Sequence, residues 1–127
     1  TWAATVILFL LIAWLTSVPM RDTYDAAETR ALTPREQHFA AAAGFEDAYD
    51  SVLGNCAMCH AREPAWEGRR WPPKGVVLET KSDVLRHAQV VYLQAGASHA
   101  MPPPNAFEMP PEARASIVAW YRAATGG

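Results

Sequence analysis

Cysteine is scarce in this chain: there are two in 127 residues, Cys56 and Cys59. A structural zinc site needs four ligands, usually as two paired half-sites, and only one pair is present. No βαβ pattern surrounds the two, which sets a thioredoxin-like redox pair aside. A disulfide between them remains open for an oxidising compartment. Charge of one sign is also missing, with 11 Lys and Arg against 13 Asp and Glu and a net charge of −2. Basic residues do not interleave with aromatics, so nucleic acid is not an expected partner. Internal repeats, phosphate-cradling glycine loops and catalytic triads are absent, and no catalytic residue is assigned. The length allows one small domain plus an appendage.

Against these absences stands Cys56-Ala57-Met58-Cys59-His60. This is a C-x-x-C-H motif, the attachment signature of a c-type haem. Each thiol adds across one haem vinyl group, and His60 becomes the proximal ligand of the iron. Two covalent tethers and a ligand from the next residue require this spacing. The expected cofactor is therefore one covalent haem c held by Cys56 and Cys59.

Met101 is the best second axial ligand. It lies 41 residues after His60 and is followed by Pro102, Pro103 and Pro104. Proline fixes φ and gives up its N–H, so such a loop is stiff without ladder hydrogen bonds. A Met/His pair raises the reduction potential. His99 is the alternative axial ligand. His38, on an expected surface helix, and His87, inside another helix, are weaker candidates. Met58 lies within the thioether loop and is excluded by geometry; Met109 is a fallback.

The segment from Trp2 to Val18 has no charged residue in 17 positions. As a helix it spans about 25 Å, against about 30 Å of bilayer hydrocarbon. Trp2 and Trp14 resemble interfacial aromatics. Thr1 in place of an initiator methionine, and no basic stretch before the apolar run, favour a spanning helix over a signal peptide. The expectation is a transmembrane helix over residues 1–20 and a linker over 21–33. A monohaem domain then occupies 34–127. Haem attachment then places the domain in the periplasm, tethered to the bacterial inner membrane with lipid as one partner.

The remainder reads as all-α. Thr33-Pro34-Arg35-Glu36 combines an N-cap, a first-position proline and a capping box. Gly44 breaks or kinks the helix opened there. Phe45, Ala48, Tyr49 and Val52 then form a helical stripe that ends at Gly54. Residues 61–80 read as a loop around the haem, with Trp66 and Trp71 to shield it or meet a propionate. A proline carbonyl there, from Pro64, Pro72 or Pro73, is expected to accept the second ring N–H of His60. Thr80 and Asp83 open another helix, carrying Val84, Leu85, Ala88, Val91 and Tyr92, with Gly96 as its stop. Pro111 opens the last, with Ala113, Ile117, Trp120, Tyr121 and Ala124 as its stripe. Residues 21–50 hold seven acids and three bases, and 62–86 hold six bases and four acids. These read as solvated faces; the functional alternative is a mildly basic rim for an acidic partner.

This order of helix, C-x-x-C-H, wrapping loop, middle helix, Met-Pro loop and aromatic helix resembles a class I cytochrome c over residues 34–125. The resemblance implies Met101 as distal ligand and a crossing of first and last helices at Ala48 and Trp120, where the family usually has Gly first. Cys56 to Trp66, Pro73 to Thr80 and Tyr92 to Pro102 are further similar to the C-terminal cytochrome domain of membrane-bound urate oxidases (urate hydroxylases). That second resemblance implies the electron-accepting domain of a urate-oxidising enzyme, with its membrane domain as partner. The first implies a tethered one-electron carrier, or a haem subunit of a respiratory or photosynthetic complex. By itself the chain reads as an electron-transfer protein, and the haem domain of an oxidoreductase stays open as the other reading.

Overall fold

The computed structural model describes the backbone of residues 1–127 and all side chains except those of residues 17–28. It divides into two compact units, Thr1–Ala31 and Leu32–Gly127. Among the described residues every regular element is helical.

The first unit is one helix, α1 (Trp2–Thr29). The membrane anchor expected over residues 1–20 is not found: among the described residues no helix is long and apolar enough to cross a membrane. Its placement in an inner membrane, with the rest in the periplasm, depended on that anchor and falls with it. The linker expected over residues 21–33 lies mostly outside the residues whose side chains are described.

The second unit packs five helices, α2 (Pro34–Ala41), α3 (Phe45–His60), α4 (Lys81–Arg86), α5 (Ala88–Val91) and α6 (Pro111–Thr125). Both expected capping boxes form. Thr33 Oγ1 accepts from Glu36 N–H, and Glu36 accepts from Thr33 N–H at 2.7 Å. Thr80 and Asp83 repeat this at the start of α4. Each satisfies two amides that a helix start would leave unpaired.

The core lies between α3 and α6. Ala48, Val52 and Cys56 of α3 and Ala113, Ile117, Trp120 and Ala124 of α6 are buried, each set at helical spacing. Trp120 is fully buried and donates its ring N–H to the Phe39 carbonyl at 2.8 Å. His38, exposed on α2, donates Nε2–H to the Ala124 carbonyl at 2.7 Å, so it docks a helix. Trp120 is also approached a turn before Ala48. Gly44 caps α3 at φ +82°, and a Cβ there would lie 3.9 Å from Trp120 Cα.

Two helix ends differ from expectation. α3 runs through Gly54 to His60, because a buried stripe carries the helix past a weak former. The middle helix breaks at His87, whose Nδ1–H donates to the Asp83 carbonyl at 2.9 Å. Beyond α5 it widens into a π-helical turn, Tyr92–Ala97, so Gly96 lies inside it. There glycine permits close packing: a Cβ would sit 2.8 Å from Val118 Cγ2 of α6. Tyr92 stacks on Tyr121 at 4.1 Å between ring centres, which joins the same two elements.

Candidate cofactor site

The C-x-x-C-H motif forms the last turn and a half of α3. Cys56 is on the buried face, Cys59 and His60 are half-buried, and both thiols are free. A helical turn brings residues three and four apart to one side, which places Cys56, Cys59 and His60 together. All three line one cavity of about 280 Å³. Met101 lines it too, delivered by the loop after the π-helical turn. His99 does not. It is exposed at φ +56° and lines a separate cavity of about 770 Å³. Met109 belongs to that second cavity as well, and Met58 is exposed.

His60 is held in one tautomer. Its Nδ1 is 2.8 Å from the Val76 carbonyl oxygen. A carbonyl only accepts, so Nδ1 carries the proton and the Nε2 lone pair remains for a metal. The acceptor is Val76 and not a proline. Leu78 N–H donates to the His60 carbonyl at 2.7 Å, so residues 76–78 run alongside the motif and aim a carbonyl at the ring. Arg62 anchors this strap. Its backbone N–H and guanidinium both donate to Glu79 at 2.9 Å, and buried Asp83 lies 3.6 Å from the guanidinium.

Electrostatics keep the site neutral. Burial pushes the Cys56 thiol up to about 11, against a smaller opposing pull from Arg114. Burial also lowers His60, with Arg69 and His87 adding to this and the Val76 bond opposing it. The imidazole is therefore available as a neutral ligand at pH 7.

The loop over residues 61–80 reaches the cavity through Arg69, Pro73, Lys74, Val76 and Leu78. Its tryptophans do not line it: Trp71 is 61% exposed, and Trp66 packs near Phe107, the aromatic that does. Arg114 of α6 is a residue the sequence did not point to. Its Nη1 donates to the carbonyls of Ala95, at 2.6 Å, and Met101, at 2.9 Å. Only the fold brings it to the Met101 loop.

The residues present fit a covalently attached haem. Two free thiols at the required spacing, a histidine with a fixed tautomer and a thioether share one largely apolar cavity. No cluster of three or more His, Cys, Asp and Glu suited to a metal ion occurs among the described residues. Comparison of the chain with protein-family models, curated proteins and solved structures returns no match.

Proposed function

We propose that this chain is a monohaem c-type cytochrome that passes single electrons between redox proteins. The observation that carries this reading is the convergence of Cys56, Cys59, His60 and Met101 on one cavity, with His60 Nδ1–H bonded to Val76. A haem held there supplies a one-electron couple whose potential follows its axial ligands, its burial and the hydrogen bonds around it. The chain's own residues do the rest. Cys56 and Cys59 fix the group to the end of α3, and Val76 orients His60. Met101 would hold the group from the other loop. A site tied down on both sides rearranges little on electron transfer, as a carrier requires. Partner encounters of this kind are small and weak, so no large apolar interface is needed around the cavity.

The test is a redox titration of the protein produced together with a c-type haem assembly system. One haem per chain, titrating with one electron, is the expected result. A chain that takes up no haem under those conditions overturns the reading.

A further inference from the structure

The loop carrying Met101 is poorly held by its own backbone. Pro102, Pro103 and Pro104 have no N–H to give. The backbone bonds of this stretch are Met101 N–H to the Gln94 carbonyl at 2.9 Å and Ala106 N–H to the Pro103 carbonyl at 2.9 Å. Pro102 and Phe107 line both the cavity of the cysteines and the second cavity of about 770 Å³, so the loop lies between two spaces. A loop so placed gains from a tether.

Arg114 is placed to be that tether. One nitrogen reaches the carbonyl of Ala95, in the π-helical turn before the loop, and the carbonyl of Met101 itself. The two hydrogens of Nη1 serve the two acceptors separately, and a charged donor makes the stronger kind of hydrogen bond. The base of Arg114 is firm because α6 is locked into the core by Trp120 and by the Ser51–Ser116 hydroxyl contact at 2.8 Å.

We infer that Arg114 is a positioning residue for Met101, holding both ends of the Ala95–Met101 segment so that the thioether is kept at the cavity. This rests on the reading of Met101 as second axial ligand. Arg114 touches neither thiol tether nor His60 in that reading; it acts through the loop.

The experiment uses the haem-loaded protein and three variants: Arg114→Gln, Arg114→Lys and Arg122→Gln. Arg122 is exposed, lies on the same helix and lines the same second cavity, so it controls for lost charge. Two signals are read in the oxidised protein: the far-red sulfur-to-iron absorption, and the rate at which added imidazole replaces the methionine. Far-UV circular dichroism reports folding. Arg114→Gln is expected to weaken the sulfur band and to speed imidazole entry about tenfold or more, the scale of losing two charged hydrogen bonds. Arg114→Lys is expected to fall between, and Arg122→Gln to match the parent. If Arg114→Gln does not fold, Arg114→Lys carries the test by the same two signals. Unchanged signals in the folded Arg114 variants overturn the inference alone. Equal changes in Arg122→Gln overturn it too, by assigning the effect to charge. A haem-loaded parent without the sulfur band overturns the Met101 assignment and this inference with it.

Discussion

His60 gives its Nδ1 proton to the Val76 carbonyl across 2.8 Å. That bond joins the end of the motif helix to a strap sixteen residues later, and it decides which ring nitrogen faces the cavity. The strap is held in turn by Arg62, Glu79 and buried Asp83. The His60 side of the cavity is thus built by an ion-paired loop, and the Met101 side by a proline-rich loop and an arginine.

Asp83 is the keystone of the strap. It is 1% exposed and accepts from the backbone N–H groups of Thr80, at 2.9 Å, and Glu79, at 3.3 Å. Asp83→Ala removes a helix cap and leaves two amides short of a partner. A loss of about 2–3 kcal/mol is expected in urea denaturation.

Gly96 and Val118 form a tight pair, with 2.8 Å between Val118 Cγ2 and the place of an added Cβ. Gly96→Ala is expected to destabilise by about 1–3 kcal/mol through overpacking. Val118→Ala in the same chain makes room. A double-mutant cycle in thermal denaturation should show a coupling of about 1 kcal/mol or more. Simple additivity would say that the two elements yield to one another.

Trp120→Phe keeps an aromatic ring in the core but leaves the Phe39 carbonyl with the longer bond from Ala42 N–H, at 3.4 Å. The expected cost is about 1–3 kcal/mol, read as a lower urea midpoint with an unchanged slope.

In the haem-free chain the Cys56 thiol stands at about 11 against an ordinary 9.0, because burial disfavours the thiolate. The folded pKa is the higher one, so the folded state keeps its proton longest. Stability from this group is complete below pH 9 and is lost as pH rises from 9 toward 11, by up to about 2–3 kcal/mol. A stability profile over that range should fall, and Cys56→Ser should flatten it. Alkylation at about pH 8 should label half-buried Cys59 before Cys56.

The features legible in the sequence are local or covalent. Both capping boxes are four-residue patterns, and they form because their partners are three positions apart. The motif at Cys56–His60 is likewise a spacing on one helix, and the buried stripe of α6 is a helical period. The features that escape a sequence reading depend on residues far apart in the chain. The Val76 carbonyl belongs to backbone, which no side-chain pattern marks. Arg114 meets the Met101 carbonyl thirteen residues back in the chain, a pairing that no local pattern marks. Gly96 reads as a helix stop, yet it lies within a π-helical turn, where close contact with Val118 outweighs its low propensity. The anchor over residues 1–20 rests on a run of uncharged residues, and among the described residues no helix is long and apolar enough to cross a membrane.

The most direct test of the central claim is the intact mass of the chain under denaturing conditions, after production with a c-type haem assembly system. The expected result is the 13.9 kDa chain carrying one haem that survives denaturation, lost when Cys56 and Cys59 are both replaced by Ser. A bare chain, or a haem still bound to the double serine variant, would contradict it.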